Sequence, residues 1–185
     1  MLEDERQLIK LAKEGGSEAF GQLYDYYLPK IYRFVLIRTA GQREGAEDLS
    51  HQVFLKAWKN IKNYNDRGHP FSSWLYQIAR NSIIDYYRQN PTTILSFEEL
   101  TINDPEGAFE EEEKISLAIN IKNVVKAVQE LKQIEQDIII MRFVEDMPIA
   151  EVALSIKKSQ GAVKLIQHRA LKQLKKILDE NGKNY

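Results

Sequence analysis

Apolar side chains recur along this chain at the three- and four-residue spacing of helices. Leu8, Ile9, Leu11 and Ala12 predict a short first helix that ends at Gly15-Gly16. Ser17 is placed to cap the next one, whose stripe is Phe20, Leu23, Tyr24, Tyr27, Ile31, Phe34 and Val35, up to Arg38. Pro29 falls inside that run and predicts a kink or two abutting helices. Gly41 and Gly45 interrupt the pattern; Ala46, Leu49, Val53, Ala57 and Ile61 then line a helix over 46–61, flanked by Phe54 and Trp58. Residues 62–70 gather Asn, Asp, Gly and Pro and read as a loop. Helix resumes over 71–88, with Trp74, Leu75, Ile78 and Ala79 pointing one way and Ser73, Gln77, Arg80, Asn81 and Arg88 another. Asn90-Pro91 closes this block. After a stretch without helical period, Leu117, Ile121, Val124, Val125, Val128 and Leu131 line a helix over 115–131, and Ile134, Ile138, Ile139 and Met141 mark another over 134–143. Pro148 sits near the first turn of the next, where its missing N–H is harmless. Ile149, Val152, Ala153 and Ile156 form one short stripe. Ser159 offers a capping oxygen, and Val163, Ile166, Ala170, Leu174 and Ile177 line a longer helix. Two helices joined by so short a turn make a helix-turn-helix.

Charge divides the chain more sharply than hydropathy does. Residues 1–91 carry 13 basic and 11 acidic side chains, residues 92–113 none and eight, and residues 114–185 13 and eight. The reading is therefore all-α: a helical domain over 1–91, an acidic flexible linker over 92–113 and a second helical domain over 114–185. The near-neutral total argues against tight autonomous DNA binding, which scales with the phosphates neutralised. No apolar run approaches the roughly 20 residues of a membrane span, so no direct membrane insertion is expected. The charged N-terminus lacks the apolar core of a signal peptide. With no cysteine there is no disulfide framework, thiolate zinc site or cysteine nucleophile, and a cytoplasmic location fits.

Candidate chemistry lies on three surfaces. Lys157, Lys158, Lys164, Arg169, Lys172, Lys175 and Lys176 stand in a stretch that contains no acid between Val152 and Leu178, so a polyanion suits it. The plain alternative is a solvated basic face that complements a helix C-terminus. Asp48, Gln52, Leu55 and Lys59 form a mixed stripe suited to a transient protein interface, or a solvated face with one exposed leucine. The polar side of helix 71–88 has residue types that bond bases and phosphates beside aromatics that can stack on single strands. Taken alone it reads more simply as a solvated face. His51, His69 and His168 are scattered, which argues against a metal site. There is no Gly-rich phosphate loop and no Ser/His/Asp grouping; no cofactor is implied and nothing supports an enzyme.

Three segments, in this order, resemble a known family. They are Ala46-Glu-Asp-Leu-Ser-His-Gln-Val-Phe-Leu-Lys-Ala-Trp58, Phe71-Ser-Ser-Trp-Leu-Tyr-Gln-Ile-Ala-Arg-Asn-Ser-Ile-Ile-Asp85, and Gly161-Ala-Val-Lys164 with His168-Arg-Ala-Leu171. They are similar to bacterial RNA polymerase sigma factors of the sigma-70 family, in its extracytoplasmic-function (ECF) group. The resemblance covers nearly the whole chain, as a sigma-2 domain, linker and sigma-4 domain. It implies that Asp48, Gln52, Leu55 and Lys59 dock on the β′ clamp helices of core RNA polymerase. It implies that Lys62, Asn63, Tyr64, Arg67, Phe71, Trp74, Arg80, Asn81 and Arg88 read and melt the promoter −10 element, with a base flipped into the loop. It implies that Ser159, Gln160, Lys164, Gln167 and His168 enter the major groove at the −35 element, with the β flap holding the sigma-4 domain. The acidic linker would thread the polymerase interior. The chain as it stands leaves no room for a sensory or autoinhibitory domain, so regulation by an anti-sigma factor in trans is expected.

Two departures from the family pattern stand out. Lys157 and Lys158 replace the usual turn glycine and apolar residue, and Leu165 and Ile166 replace a common Ser-Arg pair. These leave the −35 sequence unread, and the regulon and inducing signal with it. Two other readings compete. A stand-alone helix-turn-helix regulator would bind symmetric half-sites tightly without polymerase. A helical adaptor would bind polymerase but no promoter.

Overall fold

The computed structural model describes residues 4–66, 68–89 and 121–181. The predicted linker, Arg67 and the N-terminal part of the helix expected over 115–131 lie outside them. Every regular element described is helical. Helices α1 (Glu5–Lys13), α2 (Ser17–Arg38), α3 (Arg43–Asn60) and α4 (Phe71–Gln89) form a first block, with a 3-10 turn at Ile61–Asn63. Helix α5 (121–129), α6 (Gln133–Ile139), a π-helical turn at Ile140–Val144, α7 (Ile149–Ser155) and α8 (Gln160–Asn181) form a second.

One local expectation is corrected and another is narrowed. The cap of α2 is Gly16, not Ser17, which lies inside the helix. Gly15 takes a left-handed φ of 99°, and the Gly16 N–H reaches the Leu11 carbonyl at 2.9 Å. A Cβ on Gly16 would stand 2.9 Å from that same oxygen, so the tight exit from α1 requires glycine there. Pro29 neither divides α2 nor starts a second helix; α2 is one helix of 22 residues. Tyr27 and Ile31, on either side of the proline, are both buried in the core, and that burial offsets the lost hydrogen bond.

One apolar cluster runs through both blocks. Leu23, Ile31, Phe34, Val53, Leu75 and Ile83 fill it from the first block, and Ile138, Met141, Val152, Val163 and Ala170 from the second. Helix α7 packs on α4, and the π turn packs on α2. Aromatics concentrate in the first block, where Phe34 meets Tyr76 edge-on at 5.3 Å and Phe20 meets Trp58 at 4.8 Å.

Candidate nucleic-acid interface

The helix-turn-helix forms as the periodicity predicts. Pro148 is the residue before α7, so its missing N–H costs nothing. Ser159 Oγ accepts the Ala162 N–H at 3.2 Å and caps α8. In the turn, Lys157 takes a left-handed φ of 54°, a conformation glycine adopts without strain. Val163, Ala170 and Ile177 are buried beneath α8. Ser159, Gln160, Lys164 and His168 are exposed on its outer side, and Gln167 is half-buried.

On α3, Asp48, Gln52, Leu55 and Lys59 all face solvent, and Leu55 is 52% exposed. Beside Leu55 lies an apolar depression formed with Phe20, Tyr24, Phe54 and Trp58.

The residues assigned to the −10 element divide three ways. Lys62, Asn63, Asn81 and Arg88 are exposed, with Arg88 3.1 Å from Asp85. Tyr64 and Phe71 are core. They pack edge-on at 5.4 Å, Tyr64 donates a hydrogen bond to the His69 carbonyl at 2.6 Å, and burial pushes its phenol pKa up. Their position holds the loop's shape and offers no open ring face to a base. Trp74 and Arg80 are half-buried.

The polar side of α4 is solvated only in part, where its composition alone suggests a solvated face: the second block engages Ser73, Gln77 and Arg80, and Asn81 and Arg88 stay exposed. Arg80 Nε lies 2.7 Å from Asp137 Oδ2. Ser73 Oγ donates to the Glu151 carbonyl at 3.1 Å, and Gln77 Nε2 to the Leu154 carbonyl at 2.9 Å. Ser72 Oγ donates to Glu151 Oε2 at 2.7 Å. A cavity of about 620 Å³ remains between the blocks, lined by Trp74, His69 and Gln77 on one side and Lys157, Lys158 and Ser159 on the other.

Two arginines of α2 that residue patterns did not single out complete this contact. Arg38 is fully buried, with its Nε 2.8 Å from Asp137 Oδ1 and its Nη1 bonded to Gln136 Oε1. Arg33 grips Glu145 with two parallel bonds of 2.7 and 2.8 Å, and this pairing holds its guanidinium above its ordinary pKa. A signal existed for Arg38: it stands four residues after Phe34 and continues an apolar stripe, where an unpaired charge would be prohibitive.

Sigma-70 region 2 matches residues 23–92 and sigma-70 region 4 matches residues 127–176. The chain is 30% identical over 179 residues to the ECF RNA polymerase sigma factor BldN of Streptomyces coelicolor, covering 96% of this chain and 67% of that one. It is 28% identical to the ECF RNA polymerase sigma factor SigW of Bacillus subtilis, over 94% of this chain and 96% of that one. Its fold is like that of the sigma factor RpoE from Bartonella quintana, solved in complex with the anti-sigma factor NepR. The TM-score is 0.67 at 20% identity, over 86% of this chain and 96% of that one.

Proposed function

The chain belongs to the ECF group of sigma-70 RNA polymerase sigma factors, which direct core polymerase to promoters, and on that premise we propose which of its surfaces performs each part. Residues 1–91 dock on core polymerase and read the −10 element, residues 114–185 read the −35 element, and residues 92–113 join them. The observation that carries this reading is the α3 ridge, where Asp48, Gln52, Leu55 and Lys59 present an exposed leucine inside a polar stripe. The β′ clamp helices are its proposed partner, and the β flap is that of the second block.

At the −35 element the first turn of α8 enters the major groove, with Ser159 and Gln160 leading and Lys164, Gln167 and His168 following. Lys164 contacts a phosphate and sets register, while the Gln and His side chains meet base edges. At the −10 element Asn81, Arg80, Arg88 and the 62–67 loop take the separated strand. Trp74 supplies the ring nearest the surface, and Tyr64 and Phe71 hold the loop in shape. The chain acts as an initiation factor and not as a catalyst. It works in the cytoplasm, where polymerase is, and no described helix is long and apolar enough to cross a membrane. An anti-sigma factor acting in trans is its proposed regulator.

Core polymerase binding by the purified chain, with Asp48→Arg beside it, tests the assignment. The parent binds and starts transcripts at discrete sites. The variant loses core binding while its unfolding free energy changes by less than about 0.5 kcal/mol, as for other exposed substitutions. A folded, dimeric parent that binds no core polymerase overturns the reading in favour of an ordinary helix-turn-helix regulator.

A further inference from the structure

Arg33, Arg38 and Arg80 bring three guanidinium groups to one side of the first block, and each meets a carboxylate of the second. We propose that this face of α2 and α4 is a phosphate-binding surface for promoter DNA, and that in the free chain Asp137 and Glu145 occupy the phosphate positions. The proposal rests on reading α4 as the −10 helix and adds Arg33 and Arg38 to it.

Four observations converge. First, the side chain of Arg38 is 2% exposed, yet the groups that meet its guanidinium among the described residues, Asp137 and Gln136, both belong to the second block. A buried arginine whose counter-ion comes from a separate block is built for an anion that can leave. Second, Asp137 lends one oxygen to Arg38 and the other to Arg80, at 2.8 and 2.7 Å. One anion shared between two guanidinium groups is the arrangement a phosphodiester takes between two arginines. Third, donors and acceptors of the site are imperfectly matched: Nε and Nη2 of Arg38 and Oδ1 of Asp137 are all buried without a hydrogen-bond partner among the described residues. Fourth, the second block is polarised. Its acids include Asp137, Glu145 and Glu151, all turned to the first block, and none falls between Val152 and Leu178, where seven cations lie.

A merely structural ion pair explains one such contact. It does not explain why acids from three successive segments all meet donors on the face that otherwise reads the −10 strand. The second block and DNA thus compete for the same groups, and the closed chain holds its own −10 face shut.

The test uses the full chain and a fluorescent oligodeoxythymidylate as probe. Asp137→Ala with Glu145→Gln is expected to tighten binding about tenfold at low salt and to steepen the salt dependence by about 0.7 per freed cation. Removing charge at exposed Glu18 and Asp25 instead is expected to give under about twofold. The chain has no cysteine, so dyes on Gln22→Cys and Lys172→Cys, both exposed positions, report the separation of the blocks. Energy transfer falls in the double variant. Adding Arg33→Ala lowers the gain by about threefold without restoring transfer, which a purely structural role for Arg33 would not produce. If Asp137→Ala does not fold, Glu145→Gln alone, whose partner Arg33 is half exposed, is expected to give about threefold. Unchanged oligonucleotide affinity, or a gain indifferent to Arg33→Ala, overturns the proposal. Each preparation is also bound to core polymerase. Retained core binding without the gain rejects the phosphate face alone, whereas a folded parent that binds no core rejects the sigma-factor reading beneath it.

Discussion

The two surfaces assigned to the promoter stand in opposite states within one molecule. The first turn of α8 is bare, with Ser159, Gln160, Lys164 and His168 in solvent and its core residues turned inward. The polar side of α4 is occupied: Ser73, Gln77 and Arg80 are bonded to α7 and α6. Both surfaces look alike in composition, as polar and cationic stripes on amphipathic helices. They differ because the second block carries Asp137, Glu145 and Glu151 before Val152 and seven cations with no acid between Val152 and Leu178, so it lays those acids on α2 and α4 and turns the cations away from them. A polar stripe on a helix therefore does not announce solvent; it announces a partner whose charge must be found elsewhere in the chain.

The contact between the two blocks is most sensitive at Arg38. Arg38→Ala leaves Asp137 buried with only Arg80 beside it, and removing one partner of a buried pair costs about 3–5 kcal/mol. Denaturant unfolding should show that loss, and a loss under about 1 kcal/mol would mean that the blocks are not held by this pair. Alkaline titration separates the blocks differently. Burial, reinforced by nearby carboxylates, raises the phenol pKa values of Tyr27, Tyr64 and Tyr76 above the ordinary 10.0. All three lie in the first block, and the described part of the second contains no tyrosine. Below pH 10 both folded and unfolded phenols are neutral and the contribution is intact. Above it the unfolded chain ionises first, so stability falls by about 1 kcal/mol per phenol for each further pH unit. Phenolate absorbance and first-block unfolding should therefore rise together. A helix signal lost first from α8 would contradict this.

Smaller changes sharpen the bare side. Lys157→Gly relieves a left-handed backbone position and should stabilise the helix-turn-helix by about 1 kcal/mol, read as a shift in the unfolding midpoint. Lys164→Ala should change stability by less than about 0.5 kcal/mol. It should nevertheless weaken holoenzyme binding across promoter sequences and lower the salt slope by about one, as loss of one phosphate contact does. Weakening confined to one base position would make Lys164 a base reader instead.

Much of this architecture is legible in periodicity. The stripe of α3 is buried throughout, those of α4 and α8 are buried or half-buried on the core, and the Ser159 cap forms. What periodicity misreads is context. Pro29 suggests two abutting helices as one alternative because local propensity knows nothing of Tyr27 and Ile31 packing on the same core. Ser17 looks like a cap because the tight approach of Gly16 to Leu11 is not visible in residue types. Tyr64 and Phe71 look like base-stacking rings, but the ring cluster with Trp74 uses their faces internally. Arg33 and Arg38 escape notice because their counter-ions, Glu145 and Asp137, lie about 100 residues away, with 112 separating Arg33 from Glu145. Long-range pairing of charge is the part of a fold that no window along the chain contains.

The most direct test of a bare −35 surface and an occupied −10 surface is the separation of the blocks when polymerase binds. With dyes at Gln22→Cys and Lys172→Cys, energy transfer should fall in step with core polymerase until the two are equimolar, and should not change when Asp48→Arg is added to the same chain. Transfer that stays at its free-chain value while the bound complex starts transcripts would mean that α4 reads DNA without releasing Asp137, and would contradict the account.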